Sequence, residues 1–444
     1  MDDRSVDLGS RILSLVESAG KIPYLHNDMT RFEPGVTPIF YSGPYWGPEE
    51  VAVAIESLLQ GHWLAAGDEV RKFETELSRW LGQKHGLMAN SGSSANLLLV
   101  ESVKRRMGWQ SGDEVVVSVV GFPTTVAPLI QSGLKPVFVD IELESLNFDL
   151  DLVEKAITSR TKAVFLSPVL GNPPDMDRLL AICRKHGLEL LLDECDSLGS
   201  TWCGKHLGSL ALASSHSFYS SHHLCTGEGG MLISDDPRLM RIARSLAWWG
   251  RDCTCVGDAN LKSGGACGKR FGKWLPDYDG VIDHRYVFSE IGYNFKPLDL
   301  QGAIGRKQLA KLPEIVAKRK AAKERIGRVF QEHLPVRVPS ELPSASASWF
   351  GVPVVAPDRT TKQALVAHFE GRKVQTRHYF AGNILQQPGF AHLGDYRQFP
   401  HASLVLDRVF FVGCAPHYTE PVFLYLEKVA REFHPPGIRR KSSE

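Results

Sequence analysis

The chain has 444 residues, of which 43% are hydrophobic and 23% charged, a composition typical of a globular protein. A chain of this length is expected to form one large and one smaller domain. The net charge of +1 excludes a global electrostatic field that would attract nucleic acid or an acidic membrane. Any partner must therefore be recognised by a local site.

Residues 1–50 are expected to form an N-terminal segment, which begins with the acidic, polar stretch MDDRSVDLGS. This stretch lacks the basic and apolar regions of a signal peptide. No apolar stretch of the chain reaches the roughly 18 residues that a membrane-spanning helix requires. We therefore expect a cytoplasmic enzyme whose eight cysteines are thiols or metal ligands rather than disulfides.

Residues 51–310 are predicted to form a large α/β domain, with a mostly parallel sheet and helices on both faces. Continuous apolar runs, typical of strands that are buried on both faces, alternate here with amphipathic stretches. The apolar runs are 114–120, 163–169, 189–194 and 230–234. The stretch 175–187 predicts a helix that ends at Gly187.

Several residues of this domain indicate a phosphate-bearing ligand. The stretch NSGSSANLLL places Gly92 and Ser93 at a helix start, where backbone amides and the helix dipole bind anions. Asp193 ends a buried strand, at the edge where α/β sheets bind ligands. Ser217 and His222 belong to the polar, glycine-rich stretch 215–236, and His222 is a candidate general base with a pKa near neutrality. Helix capping and a structural histidine are the alternative explanations.

Four of the cysteines form a second group of candidate site residues. Cys253, Cys255 and Cys267 share an irregular, glycine-rich loop over 251–285, and Cys195 closely follows the strand end at 189–194. Four thiolates commonly ligate an iron–sulfur cluster. The alternatives are zinc with a nearby histidine, or simply buried thiols. The remaining cysteines are expected to be core residues: Cys183, Cys203, Cys225 and Cys414.

Residues 311–434 are predicted to form a smaller α+β domain. A long amphipathic helix over 312–334 is expected to lead the chain out of the sheet domain. The basic end at 435–444 is expected to be a disordered tail.

These segments together resemble the fold-type I, pyridoxal-phosphate (PLP)-dependent sugar aminotransferases and dehydratases. Within that family they are similar to the iron–sulfur nucleotide-4-keto-6-deoxyhexose 3-dehydrases. The matching segments extend over nearly the whole chain: GHWLAAGDEVRKFE, GSSANLL, GFPTTV, SFYSSHH, GEGG, WWGRDCTC, CGKRFG, GYNFKPLDLQGA, SWFG and FAGN. The resemblance puts His222 where the family's aminotransferases have the lysine that forms a Schiff base with the cofactor.

The resemblance also implies roles for further residues. Asp193 would contact the pyridine nitrogen of the cofactor, and Phe122 would stack on its ring. The implied phosphate ligands are Gly92, Ser93 and Ser217, joined by Asn294 from the neighbouring subunit of a homodimer. The implied ligands of a 2Fe–2S cluster are Cys195, Cys253, Cys255 and Cys267, although the insertion NLKSGGA lengthens the last spacing relative to the family pattern. The implied substrate contacts are Tyr219, Arg377 and Asn383.

The implied activity is removal of the C3 hydroxyl from a nucleotide-linked 4-keto-6-deoxyhexose. Pyridoxamine 5′-phosphate (PMP) would form a Schiff base with the substrate, and His222 would act as the base. The 2Fe–2S cluster would deliver electrons for the reduction, which implies a flavoprotein or ferredoxin-type reductase as partner. CDP and dTDP remain equally open as the nucleotide, as does prior loss of the C2 hydroxyl.

Three alternatives remain: a sugar aminotransferase, a cluster-free PMP dehydrase and a non-enzymatic regulator. The lack of lysine in 215–236 argues against an aminotransferase, because PLP would have no tether there. The cysteine set argues against a cluster-free enzyme. The near-zero net charge offers no support for a DNA-binding regulator.

Overall fold

The computed structural model describes residues 3–19, 29–61, 64–253, 255, 265 and 268–435. Its helices in these ranges are α1 (Asp3–Ser18), α2 (Pro48–Gln60), α3 (Asp68–Trp80), α4 (Gly92–Met107), α5 (Pro123–Gln131), α6 (Leu150–Lys155), α7 (Met176–His186), α8 (Pro237–Ala247), α9 (Asp299–His333), α10 (Arg359–Glu370), α11 (Pro400–Arg408) and α12 (Glu420–Arg431). Its strands are β1 (His85–Ala89), β2 (Glu114–Ser118), β3 (Lys135–Val139), β4 (Thr161–Leu166), β5 (Glu189–Asp193), β6 (Thr201–Trp202), β7 (Lys205–His206), β8 (Ala213–Ser217), β9 (Gly230–Ser234), β10 (Phe271–Gly272), β11 (Ile282–Asp283), β12 (Ala345–Ser346), β13 (Gly351–Val355), β14 (Thr376–His378) and β15 (Val409–Gly413).

A seven-stranded sheet forms the centre of the large domain, in the order β1-β9-β8-β5-β4-β2-β3. Strands β8, β5, β4, β2 and β3 pair in parallel, whereas β9 is antiparallel to both of its neighbours. This arrangement confirms the predicted α/β class. The four predicted apolar runs become β2, β4, β5 and β9. The direction of β9 was not predicted, because a continuous apolar run indicates burial on both faces and not the direction of pairing.

The helix predicted over 175–187 is confirmed as α7. The side chain of Asp175 accepts a hydrogen bond from the backbone amide of Arg178 at 3.0 Å and caps the helix start. Gly187 ends the helix with a φ of 64°, a left-handed conformation that costs glycine little.

The helix predicted over 312–334 begins much earlier, at Asp299, as α9. Gly302 and Gly305 weaken helix propensity in its first turns, but they let α9 pack directly on α3. A Cβ atom on Gly302 would overlap the backbone of Val70, and one on Gly305 would lie 2.7 Å from the Phe73 ring. Tertiary packing therefore extends α9 across the predicted domain boundary at residue 310.

The smaller domain contains an antiparallel sheet in the order β13-β15-β14, with α10, α11 and α12. This confirms its predicted α+β character. In the loop over 251–285, the described residues form the two-residue strands β10 and β11 and the start of a short 3-10 helix, His284–Tyr286. All but the first residue of the predicted tail at 435–444 lie outside the described residues. No helix in the described ranges is long and apolar enough to cross a membrane.

Candidate active site

A cavity of about 730 Å³ lies where β5 and β8 end and α4 begins. This is the edge at which α/β sheets bind ligands. The structure brings most of the predicted site residues together in the cavity wall: Gly92, Ser93, Phe122, Asp193, Cys195, Ser217, Tyr219, His222 and Arg377. The smaller domain adds further wall residues, among them Phe350 and Phe411.

The N-terminus of α4 forms one end of the cavity. Ser91 caps the helix by accepting a hydrogen bond from the amide of Ser94 at 3.1 Å. The amides of Gly92 and Ser93, in the first turn, have no acceptor within the helix. Gly92 approaches the end of β8 so closely that a Cβ atom there would overlap the side chain of Ser217. Helix amides and a hydroxyl therefore converge on one place, which suits a phosphate group.

Asp193 forms the floor of the cavity and is only 4% exposed. Its Oδ2 accepts hydrogen bonds from Asn96 Nδ2 at 2.8 Å and from Thr125 Oγ1 at 2.7 Å. Its Oδ1 accepts one from the amide of Cys195 at 3.2 Å. These donors stabilise the ionised carboxylate and fix its orientation. Asp193 thus presents an ordered anionic oxygen that fits a protonated ring nitrogen.

His222 lies on the loop after β8, and its side chain is 15% exposed. Its Nδ1 is 3.5 Å from Asp196 Oδ1, and its ring centroid is 5.2 Å from that of Phe350. Burial, and secondly the positive charge of Arg319, lower the pKa of His222 to about 3. The expectation of a near-neutral pKa for His222 is therefore wrong, because the apolar surroundings disfavour the imidazolium. At neutral pH the ring is uncharged, which is the form that accepts a proton.

Asp196, the neighbour of His222, was not predicted from the sequence. Burial, followed by the negative charge of Asp193, raises the pKa of Asp196 to about 8. The carboxyl group is therefore mainly protonated at neutral pH. Because it is protonated, the Asp196 carboxyl can lie beside the uncharged imidazole without placing an unpaired negative charge in the protein interior.

Aromatic rings form the rim of the cavity. The side chains of Phe122 and Tyr219 are 53% and 48% exposed. Phe122 meets Phe380 edge to face, with ring centroids 6.4 Å apart, and can cover the face of a planar ring. Arg377 lies over the ring of Tyr41 at 4.4 Å, where a guanidinium can bind an anionic part of a substrate.

Two of the residues predicted to contact cofactor or substrate do not line the cavity. Asn383 is fully buried, and its Nδ2 donates to the carbonyl of Tyr396 at 3.1 Å, so its side chain stabilises the smaller domain instead of facing a substrate. Asn294 pairs with Trp248 in an isolated bridge, and its Oδ1 accepts a hydrogen bond from Lys296. Its role toward a neighbouring subunit stays a prediction.

Three of the four predicted cluster cysteines fall in the described residues, and Cys267 lies outside them. Cys195 lines the cavity, and Cys253 Sγ accepts a hydrogen bond from the amide of Cys255 at 3.4 Å. Burial, and then the Asp193 carboxylate, raise the pKa of Cys195, so it stays a thiol unless a metal ion binds it. Among the described residues no group of three His, Cys, Asp or Glu side chains is arranged to hold a metal ion.

Sequence reasoning missed Asn96 and Thr125 as well as Asp196. The sequence did contain a signal for Asn96, because this polar residue interrupts an apolar helix face formed by Ala95, Leu98 and Leu99. A polar residue that is buried in such a face usually has a hydrogen-bond partner. That partner, Asp193, is 97 residues away in the chain. Its identity became clear only from the structure.

Comparisons with known proteins show the family of this chain. Residues 47–423 match the model of the DegT/DnrJ/EryC1/StrS aminotransferase family. A dTDP-4-dehydro-2,6-dideoxy-D-glucose 3-dehydratase from Saccharopolyspora spinosa is 36% identical over 96% of this chain and 92% of its own length. A dTDP-4-dehydro-2,3,6-trideoxy-D-glucose 4-aminotransferase from the same organism is 31% identical over 69% of this chain and 74% of its own length.

Among solved structures, the Escherichia coli GDP-4-keto-6-deoxy-D-mannose-3-dehydratase with bound hydrated PLP superposes with a TM-score of 0.77. It is 28% identical, and the match covers 88% of this chain and 100% of that chain. The chain belongs to the DegT/DnrJ/EryC1/StrS aminotransferase family. It is therefore an enzyme with the fold of the fold-type I PLP enzymes, in a family that modifies sugars with PLP or PMP.

Proposed function

We propose that the chain is a 3-dehydratase that acts on a nucleotide-linked 4-keto-6-deoxyhexose with PMP as cofactor. The observation that carries this proposal is the placement of His222 in the cavity with Asp193 and Ser217. No lysine occurs among the described residues that line the cavity, so a covalent tether for PLP is missing there. The relative from S. spinosa with 36% identity, named as a 3-dehydratase, supports the same conclusion.

The residues in the cavity fit the cofactor. The amides of Gly92 and Ser93 and the hydroxyl of Ser217 would hold its phosphate, and Asp193 would keep its ring nitrogen protonated. Phe122 would cover the ring. When bound, PMP supplies an amine that condenses with the keto carbon and a ring that takes up electrons.

His222 would then move the proton. Its Nδ1 lies 3.5 Å from Asp196 Oδ1. In the tautomer that carries the ring hydrogen on Nδ1, Nε2 would accept the proton from the reacting carbon. Loss of the C3 hydroxyl as water breaks the C3–O bond. Two electrons and two protons then complete the reaction: one proton forms the C3–H bond of the 3-deoxy sugar, and the other replaces the proton that His222 removed.

We further propose that Cys195, Cys253, Cys255 and Cys267 would hold a 2Fe–2S cluster, which when bound would supply single electrons for this reduction. The thiol set supports this, because iron–sulfur clusters are commonly held by four thiolates. Cys195 also lines the cavity, which would bring a cluster close to the reaction. A flavoprotein or ferredoxin-type reductase would supply the electrons, and a homodimer would bring Asn294 of one subunit to the cavity of the other.

The central test is an assay of the purified protein with PMP and a panel of CDP-, dTDP- and GDP-linked 4-keto-6-deoxy sugars, with a reduced flavoprotein. We expect a product that lacks one oxygen atom, detected by mass spectrometry. A product that instead carries an amino group, formed with L-glutamate as donor, would establish the aminotransferase alternative.

The base is tested with His222→Ala. We expect turnover to fall by about 10³-fold, because general-base catalysis is lost, while PMP still binds. His223→Gln is the matched control, because His223 is buried next to His222 but bonds to the carbonyl of Ser348 and does not line the cavity. Normal turnover in His222→Ala would remove His222 from the proposed chemistry.

The cluster is tested with Cys253→Ser, with Cys203→Ser as the control at an exposed cysteine. Iron and acid-labile sulfide are measured in both variants. We expect Cys253→Ser to lose iron and reductive turnover but to keep dehydration. Full reductive turnover in an iron-free variant would contradict the cluster and leave the dehydration proposal intact.

A further inference from the structure

Arg319 occupies an unusual position in α9. Its neighbours in the sequence are Lys318 and Lys320, so the stretch reads as part of a solvated basic face. The buried residues of α9 nevertheless include a series that recurs every three or four positions, and Arg319 belongs to it: Leu312, Ile315, Arg319, Ala322, Ile326 and Phe330. A charged residue within an apolar stripe is costly unless the structure satisfies it.

The structure buries Arg319 to 1% exposure and gives its guanidinium three hydrogen bonds. Nη1 donates to the carbonyl of Phe350 at 3.0 Å. Nη2 donates to Ser42 Oγ at 3.0 Å and to the carbonyl of Ser221 at 3.3 Å. The hydroxyl of Ser42 donates to the same Ser221 carbonyl. The three acceptors are uncharged, so the positive charge of Arg319 stays available to the surroundings.

Both carbonyls belong to the immediate environment of His222. Ser221 precedes it in the loop, and Phe350 packs against its ring with centroids 5.2 Å apart. Arg319 therefore fixes the backbone of the His222 loop and the aromatic wall beside it at the same time. A misplacement of about 1 Å at a catalytic group can cost about 100-fold in rate, so such a clamp bears directly on catalysis.

Few charged or titratable groups face the imidazole. They are Asp196 from the turn after β5, Arg319 from α9, and Tyr219 and His223 from the loop itself. A fixed positive charge opposes protonation of a neighbouring imidazole. Among these groups, Arg319 is the permanent cation, because a guanidinium does not lose its proton in proteins.

We propose that Arg319 is a positioning residue: it holds the His222 loop and the Phe350 wall in place, and its fixed positive charge adds to the burial that disfavours the imidazolium. This inference rests on the proposed function of His222 as the base. Arg319 would thereby contribute to catalysis without contacting substrate or cofactor.

The test compares Arg319→Met, Arg319→Lys and Ser42→Ala in the protein reconstituted with PMP and cluster. Two quantities are measured: the kcat and KM of sugar turnover, and the pH at which His222 is half protonated. The second quantity comes from hydrogen–deuterium exchange at the imidazole Cε1, followed by mass spectrometry of peptides, with the exposed His392 as internal reference. It requires no activity.

In Arg319→Met we expect kcat to fall about 10- to 100-fold while KM changes little. We also expect the half-protonation of His222 to move up by about one pH unit, and with it the acid limb of the kcat profile. Arg319→Lys keeps the charge but loses the planar donor geometry, so its titration should stay near that of the original protein while kcat falls about threefold. Ser42→Ala, which keeps Arg319 and removes one arm of the clamp, should also lower kcat about threefold.

Arg325→Met is the matched control, since Arg325 lies on the same helix but forms an exposed ion pair with Glu420 at 2.6 Å. Arg325→Met should change neither the kinetic constants nor the pH at which His222 is half protonated.

If Arg319 had a merely structural role, its replacement would lower the melting temperature without moving the titration of His222. The proposal is overturned if folded, PMP-bound Arg319→Met keeps the original titration and kcat. If Arg319→Met does not fold, unchanged kcat in both Arg319→Lys and Ser42→Ala overturns it. Should the original protein turn over no sugar of the panel, the proposed function fails, while the titration still decides the role of Arg319.

Discussion

The floor and the rim of the cavity are built in opposite ways. The floor, formed by Asp193 with Asn96 and Thr125, is buried and has its hydrogen bonds satisfied within one chain. The rim, formed by Phe122 and Tyr219, leaves about half of each large side chain exposed. Exposed apolar surface of this kind marks a place where something else binds. The floor is therefore complete in a single chain, whereas for the rim we expect that cofactor, substrate or a second subunit covers the exposed rings.

The largest expected effect is at the floor. Asp193→Asn replaces an anion by an amide, which cannot keep the ring nitrogen protonated. We expect kcat to fall by about 10³-fold at saturating PMP. Thr125→Val is the comparison, because it removes one hydrogen bond but keeps the charge, and it should cost about tenfold. Turnover of Asp193→Asn close to that of Thr125→Val would mean that the carboxylate charge is not what the floor contributes.

An effect of intermediate size tests whether the cavity is shared between subunits. His222→Asn and Asn294→Ala are each expected to be inactive alone. When the two variants are mixed in equal amounts, unfolded and refolded together, we expect recovery of about 25% of the original activity. Half of the randomly formed dimers are then heterodimers, and one of the two sites in each heterodimer is intact. Refolding each variant separately and then mixing is the control. No recovery in the co-refolded sample, with heterodimers demonstrated by native mass spectrometry, would place Asn294 outside the partner's site.

The smallest expected effect concerns the exposed ring of Phe122. Phe122→Ala should weaken PMP binding about tenfold, because a stacking contact of roughly 1 kcal/mol is lost together with some buried area. Isothermal titration calorimetry measures this change. Phe271→Ala is a suitable control, since Phe271 has a similar exposure of 56% but does not line the cavity. Equal affinities in the two variants would show that the ring does not cover the cofactor.

The sequence determined much of the frame. Continuous apolar runs marked β2, β4, β5 and β9, because strands buried on both faces need apolar side chains on both. The C-cap of α7, Gly187, is a local feature and was therefore predicted from the sequence. The position of Asp193 at a strand end was enough to predict a ligand site at that edge of the sheet.

Only the tertiary structure decided the start of α9, the partners of Asp193 and the environment of His222. Gly302 and Gly305 disfavour a helix locally, and the close packing of α3 outweighs that preference. Arg319 reads in the sequence as one of three consecutive basic residues, yet it alone is almost fully buried beside the His222 loop. The physical reason is the same in all three cases. Hydrogen bonding and burial depend on groups that are far apart in the chain, and those groups meet only when the sheet, α4 and α9 have assembled.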